Sequence, residues 1–305
     1  MVSITITLLG LSKKQRFMTV NFLADIASGV LLADGAIGTV LKSKGFAPPF
    51  ETLNLTHPDL IQSLHRAYYE AGARVIYTNT FGVTSLQLKN LKTELDPGIL
   101  LRQAVELARA AIGDEAYVAG CVGPVGLSLA ELKIFSGERL KLLYSHQVAV
   151  LAGAGVDLIV FETFYSLIEI QIALLACERA KPITTPLVVS VTVEKDGFLA
   201  DGTSLKDWVR LLDEAVVVDV IGLNCSHGPL FLAPVVDSLC ALTCKPILLK
   251  PNAGLPQENA GQLLYPFAPE DFAMSLKAMK QPQIRILGGC CGTTPEFIKE
   301  LSRSS

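Results

Sequence analysis

The chain has 305 residues, of which half are apolar and 18% are charged, and its formal net charge is −3. This composition argues against a disordered chain and provides enough apolar residues for one large α/β domain or two small ones. With 26 basic and 29 acidic residues and no long basic block, nothing indicates a nucleic-acid or membrane partner. Seven cysteines are too few for a disulfide scaffold in a chain of this length.

The first twenty residues are predicted to form an N-terminal extension (1–20), followed by a single domain (21–305). The apolar run of the extension precedes its positive charges, which is the reverse of a secretory signal, and it is too short to span a bilayer. Met18 fits as the true start as well as Met1, because the pattern that follows does not depend on the first seventeen residues. A soluble, cytoplasmic protein is therefore expected.

Short apolar runs alternate with segments of helical periodicity along the chain. The runs are 29–34, 73–79, 116–123, 156–163, 186–193, 218–225, 245–252 and 283–290. Between them, 58–72 and 98–113 place apolar residues on one face and end in glycine, which is typical of helices. Eight buried parallel strands with helical crossovers predict a single (β/α)8 TIM barrel of the α/β class. The rival is a doubly wound open sheet, but "ADGAIGTVL" (33–41) lacks the G-x-G-x-x-G fingerprint of that fold.

Polar residues and cysteines follow the predicted strands where each strand ends. The active site of a barrel lies at these carboxyl ends. The candidates there are Asp34, Asn79, Thr80, Gly123, Glu162, Glu194, Cys225, Asn252, Cys290 and Cys291.

Three of these candidates are cysteines. Cys225 ends the sixth run, and Cys290 with Cys291 ends the eighth, so only the seventh strand separates them. Zinc prefers soft sulfur ligands, and three protein ligands with a vacant fourth position describe a catalytic zinc site. A closed structural site with His227 as the fourth ligand is an alternative, as are buried or disulfide-bonded cysteines without a metal. Core packing is expected for the other four cysteines, Cys121, Cys177, Cys240 and Cys244, with a pair of ligands as the alternative for Cys240 and Cys244.

Five segments carry a resemblance to a known family. They are "DGAIGT" (34–39), "AGARVIYTNTF" (71–81), "GLNCSHGP" (222–229), "KPNAGLP" (250–256) and "GGCCGTTP" (288–295). In this order they resemble the signature segments of the zinc-dependent homocysteine S-methyltransferase family. Their sequences are most like those of the homocysteine-binding domain of cobalamin-dependent methionine synthase. The resemblance runs from about residue 28 to the C-terminus.

The resemblance implies a TIM barrel that binds one Zn²⁺ per chain through Cys225, Cys290 and Cys291. The homocysteine thiolate would be the fourth zinc ligand and would be methylated to methionine. Three thiolates leave the zinc site with a net negative charge, so the substrate sulfur would stay nucleophilic. A free thiol with a pKa near 8.5 would otherwise be mostly protonated at neutral pH.

The same resemblance implies substrate contacts. Glu162 matches the position that accepts hydrogen bonds from the substrate ammonium, and its alternative role is a rim salt bridge. Asp34 is a second candidate for a substrate contact, and its alternative role is to shape a glycine turn. Asn79 is a further substrate-binding candidate. Asn252 is expected either to occupy the vacant zinc position without substrate or to line the pocket. The substrate carboxylate would suit the glycine-rich loops or the helix start near Thr293 and Thr294.

The methyl donor is not encoded in these residues. The segment "KPNAGLP" favours a methyl-corrinoid donor of the methylcobalamin type on a separate protein or domain, and S-methylmethionine or betaine is the alternative. Two other classes stay open: a non-catalytic zinc- and thiol-binding barrel, and an unrelated barrel enzyme whose "GGCCGT" loop binds phosphate.

Overall fold

The computed structural model describes residues 21–303 except 85, 87, 89–94, 260–261 and 280. The strands are β1 Leu31–Leu32, β2 Val75–Tyr77, β3 Tyr117–Val122, β4 Leu158–Phe164, β5 Leu187–Val191, β6 Val220–Cys225, β7 Ile247–Pro251, β8 Gln257–Asn259, β9 Gln262–Leu264 and β10 Ile284–Leu287. The helices are α1 Phe22–Ser28, α2 Gly38–Ser43, α3 Leu53–Thr56, α4 Pro58–Glu70, α5 Pro97–Ile112, α6 Leu129–Ile134, α7 Gly137–Gly153, α8 Leu167–Ala180, α9 Leu205–Glu214, α10 Pro229–Leu242, α11 Pro269–Ala278 and α12 Pro295–Arg303. Short 3₁₀ turns occupy Phe50–Thr52 and Lys195–Gly197.

Eight strands form one parallel sheet in the order β1-β10-β7-β6-β5-β4-β3-β2. A parallel bridge between Ala33 and Val75 joins the two end strands, and Arg74 N donates to Leu32 O at 2.7 Å across the same seam. The sheet therefore closes on itself, and the (β/α)8 TIM barrel and its eight predicted strands are confirmed.

The two helices predicted at 58–72 and 98–113 are present, with bounds that differ by one or two residues. Pro58 opens α4, which buries Ile61, Leu64 and Tyr68. The side chain of Asp96 caps α5 by accepting from Gly98 N, and Gly113 follows the helix with φ +60°. These caps satisfy backbone groups that a helix terminus leaves unpaired.

The barrel interior is closed at its amino end by α1. Phe22 and Ile26 are buried in one cluster with inward-facing strand residues such as Val75 and Tyr117. The Phe22 and Tyr117 rings meet edge to face at 5.3 Å, and the Tyr117 hydroxyl donates to Asp25 at 2.5 Å. Among the described residues, the carboxyl end of the barrel is therefore the end that remains open for a site.

A hairpin, β8–β9, follows β7 and leads into the Tyr265-Pro266-Phe267 segment, which packs on the rim loops. A Cβ added at Gly292 would lie 2.1 Å from Tyr265 Cγ, and one at Gly254 would lie 2.6 Å from Pro266 Cγ. Both glycines have left-handed backbones, with φ +83° and +96°. Glycine is required at both positions because the aromatic segment approaches the backbone so closely.

Within the described ranges, no helix is long and apolar enough to cross a membrane. The predicted extension, 1–20, lies outside the described residues. Its boundary, like the cytoplasmic location, stays a prediction.

Candidate metal and substrate site

Three cysteine sulfurs meet at the carboxyl rim of the barrel. Cys225 ends β6, and Cys290 and Cys291 follow β10, with β7 between the two strands. The three sulfurs lie within 4.8 Å of one another, and Cys225 Sγ is 2.7 Å from Cys290 Sγ. All three are free thiols, partly exposed. In the described part of the chain, no other group of three or more histidine, cysteine or acidic residues is placed to hold a metal.

The backbone around the sulfurs is tightly held. Cys290 N donates to Pro251 O at 2.8 Å, and Cys291 O accepts from Ala253 N at 2.9 Å, so the end of β7 supports both cysteines. Cys225 and Ser226 have left-handed backbones with φ +50° and +54°. Such conformations cost of order 1–3 kcal/mol each in non-glycine residues and often mark functional sites.

The three sulfurs share negative charge unequally. Hydrogen bonding with Cys290 and Cys291, together with burial, raises the pKa of the Cys225 thiol well above its usual range. Hydrogen bonds from Cys225 and Cys290 lower the pKa of Cys291 to about 4. The protein alone thus stabilises one thiolate here, and three adjacent thiolates require a cation. Soft sulfur donors at the end of a barrel fit Zn²⁺.

His227 does not belong to this group. Its ring packs against the Phe231 ring with centroids 4.0 Å apart. The described residues therefore provide three ligands without a fourth histidine.

A buried charge network lies beside the cysteines. Lys250 Nζ, on β7, is 2.8 Å from Asp34 Oδ1 and 3.7 Å from Glu162 Oε1, and it lies 3.4 Å from the centre of the Tyr77 ring. Burial alone would lower the pKa of Lys250, but Asp34, Tyr77 and Glu162 raise it well above its usual range. Lys250 is therefore an ammonium ion. The sequence contained this lysine in "KPNAGLP" without assigning it a role.

The two carboxylates differ in access. Asp34 is fully buried, and its second oxygen accepts from Tyr77 N at 2.8 Å. The Glu162 side chain is 12% exposed and accepts a 3.4 Å hydrogen bond from the Cys121 thiol. Burial raises the pKa of Glu162 to about 7, although Lys250 opposes the shift. Glu162 is the carboxylate that a ligand can reach.

The predicted amides have different partners. Asn79 Nδ2 donates to Phe50 O and to Asn54 Oδ1, at 2.9 and 3.0 Å, so it is held by the protein. Asn252 Nδ2 donates to Ser226 O at 3.0 Å, whereas Asn252 Oδ1 is buried without a partner. An unpaired buried carbonyl oxygen is costly unless a ligand uses it.

The helix start near Thr293 is already occupied. Thr293 Oγ1 donates to Cys290 O at 2.7 Å and accepts from Ala36 N at 3.2 Å. This side chain therefore supports the cysteine loop. The substrate carboxylate site stays a prediction.

A (β/α)8 barrel with three thiols gathered at the carboxyl ends of two strands defines a thiol-rich TIM-barrel protein with a candidate metal site. The chain belongs to the homocysteine S-methyltransferase family, whose family model matches residues 31–305.

Two curated relatives are mycobacterial methionine synthases. The chain is 31% identical over 301 residues to the methionine synthase of Mycobacterium leprae and 32% identical over 296 residues to that of Mycobacterium tuberculosis. The matches cover 92% and 91% of this chain but only 25% of each relative. The chain thus spans about a quarter of the length of these proteins.

A solved structure gives a full-length match. The metallated form of the homocysteine methyltransferase MmuM from Escherichia coli superposes with a TM-score of 0.76 at 28% identity, covering 91% of this chain and 96% of that one. Both the family resemblance and the fold predicted from the sequence are confirmed.

Proposed function

We propose that the chain methylates homocysteine to methionine, with the substrate sulfur activated as a zinc-held thiolate. The observation that carries the proposal is the convergence of three partly exposed cysteine sulfurs within 4.8 Å at the open end of the barrel. Membership in the homocysteine S-methyltransferase family supports this substrate.

Cys225, Cys290 and Cys291 would hold one zinc ion. When bound, zinc would supply a Lewis acid that keeps a fourth sulfur deprotonated at neutral pH. The chain itself would provide recognition: Glu162 would accept hydrogen bonds from the substrate ammonium. Asp34 and Asn79 would line the pocket, each with its side chain held by protein partners.

Asn252 would use its unpaired Oδ1 at the fourth zinc position while no substrate is present. Its backbone N–H donates to Cys225 O and His227 O at 3.3 and 3.1 Å, so Asn252 belongs to the same rim as the cysteines. Displacement by the substrate sulfur would then release the amide.

For the methyl donor we propose a methyl-corrinoid on another protein or domain. The support is the similarity to proteins named methionine synthase and the segment "KPNAGLP". S-methylmethionine or betaine is the alternative donor, and the chain is also similar to MmuM, a homocysteine methyltransferase.

The test combines metal content with a donor panel. One zinc per chain is expected in the wild type and none in Cys225→Ala, Cys290→Ala or Cys291→Ala. Cys244→Ala is the control because this exposed cysteine lies outside the cluster. Methionine formation is then assayed with methylcobalamin, S-methylmethionine and betaine. Zinc retained in all three cluster variants would refute the site, and zinc binding without turnover of any donor would indicate a non-catalytic barrel.

A further inference from the structure

Two sulfurs of the cysteine cluster, those of Cys290 and Cys225, are each within hydrogen-bonding distance of a different donor. Asn224, fully buried on β6, provides the first. Its Oδ1 accepts from Thr163 N at 2.9 Å and from Ser190 Oγ at 2.6 Å. Because a backbone N–H can only donate, this contact fixes which end of the amide faces Thr163.

The Asn224 amide nitrogen then faces two acceptors. It is 2.6 Å from Thr163 Oγ1 and 3.9 Å from Cys290 Sγ. An NH₂ group has two hydrogens, so both are used. Asn224 therefore donates one hydrogen to the Cys290 sulfur.

Thr163 relays the second hydrogen bond. Its Oγ1 accepts from Asn224, so its own O–H proton remains to be donated, and Cys225 Sγ is 3.8 Å away. Thr163 has φ +64° and lies where the β4–β5 register shifts between Phe161 and Phe164. An irregularity of this kind re-aims a strand side chain.

Tyr265 lies beside the third cysteine, and its ring packs on Gly292, next to Cys291. The two donors, Asn224 and Thr163, come from β6 and β4, so the pair is assembled only by the fold.

A zinc site with four sulfur ligands has a selectivity problem, because the protein's thiolates compete with the substrate for the methyl group. We infer that Thr163 and Asn224 are positioning residues that lower the nucleophilicity of the Cys225 and Cys290 sulfurs, so that these two sulfurs do not compete with the substrate sulfur. A hydrogen bond to a thiolate draws charge away from the sulfur, and such outer contacts tune metal ligands. The two donors are already used, so a fourth sulfur would not receive them. This inference rests on the proposed zinc site.

The test measures the reactivity of each cysteine in zinc-loaded protein without homocysteine. Methyl iodide is the probe: a cysteine S–CH₃ bond forms, the C–I bond breaks and iodide leaves. Peptide mass spectrometry gives the initial methylation rates of Cys225, Cys290 and Cys291 separately. Zinc content and thermal unfolding are recorded for every variant.

Thr163→Val removes the hydroxyl and keeps the shape, and it is expected to raise the Cys225 rate about 5- to 10-fold, as loss of a hydrogen bond of ordinary net strength implies. Thr163→Ser keeps the hydroxyl and should restore the wild-type rate. The Cys291 rate should stay unchanged in Thr163→Val and provides the internal control.

An unchanged Cys225 rate in Thr163→Val, with zinc retained, would overturn the inference while leaving the proposed function intact. A uniform rise at all three cysteines would also overturn it, because that pattern indicates general loosening of the site. Failure of the wild type to bind zinc would instead refute the proposed function and this inference with it.

Discussion

Lys250 places an ammonium ion between two carboxylates inside the barrel, with only 3% of its side chain exposed. Lys250 offsets the negative charge of these carboxylates, and removing it leaves that buried charge without a partner. Lys250→Met is therefore expected to lower the free energy of unfolding by about 3–5 kcal/mol. Urea unfolding measures this change.

Two variants check the reason for that loss. Lys250→Met combined with Asp34→Asn should recover much of the stability, because the fully buried carboxylate of Asp34 is gone. Lys141→Met, which breaks a 3.8 Å surface pair with Glu138, should cost less than about 1 kcal/mol. If the double variant is as unstable as Lys250→Met alone, the explanation by charge is wrong.

Glu162 carries the prediction about substrate binding. Glu162→Gln should weaken homocysteine binding by about 1.5–3 kcal/mol, the range for a hydrogen bond to a charged group, with zinc content unchanged. Calorimetric titration measures the affinity. Equal affinity in the variant would mean that Glu162 interacts with Lys250 and does not bind homocysteine.

The pH dependence of binding follows from the same residue. Burial raises the pKa of Glu162 to about 7, and only the ionised form attracts an ammonium group. Homocysteine affinity should fall as the pH drops below about 7 in the wild type. The part of this fall that is due to Glu162 should disappear in Glu162→Gln.

At the scale of an element, α4 carries a buried histidine. His65 is fully buried, neither ring nitrogen has a hydrogen-bond partner, and burial lowers its pKa to about 4. In the unfolded chain the histidine pKa is about 6.5. Between these values the unfolded state binds a proton that the folded state does not, so stability falls as the pH falls.

The expected loss from His65 is about 3 kcal/mol between pH 6.5 and pH 4, at 1.36 kcal/mol per pKa unit. His65→Leu should remove this part of the pH dependence. His146→Gln, at an exposed position on α7, is the matched control. Unfolding by urea at several pH values tests the prediction, and an unchanged slope in His65→Leu would contradict it.

The eight barrel strands were predictable because each is a short, mostly apolar run that alternates with a segment of helical periodicity. The β8–β9 hairpin and α1 were not singled out. The hairpin strands have only three residues each, and α1 has only seven, so neither repeats a pattern long enough to read. Their importance comes from what they pack against.

The same limit applies to the candidate site. Cys225, Cys290 and Cys291 were predictable because strand ends share one rim and because paired cysteines between glycines are distinctive. Asn224 and Thr163 were not singled out, since an asparagine or a threonine has many roles. Only the tertiary structure brings their hydrogens to the sulfurs.

For the whole molecule, the closed sheet and its core do not depend on a metal. Under the proposed function, zinc connects the ends of β6 and β10 through side chains at the rim. Removing zinc with a chelator should therefore lower the melting temperature without abolishing cooperative unfolding. Free zinc about 1,000-fold above its Kd should stabilise the fold by about 4 kcal/mol.

Calorimetry at several zinc concentrations tests this dependence. Cys225→Ala should show none, because its site is incomplete. Loss of the folded barrel on chelation would contradict the prediction, since it would mean that the metal is needed for folding itself.

The amino-end closure by Phe22 and Ile26 has a kinetic consequence. Because α1 closes that end, a small molecule bound among the inward-facing residues near Lys250 enters and leaves through the carboxyl end of the barrel. The group that reacts with it approaches through the same opening. Under the proposed function, homocysteine must load before its donor docks, and methionine must wait for the spent donor to depart. The barrel thereby imposes a compulsory order of addition and release, which intersecting reciprocal plots together with the patterns of product inhibition would reveal.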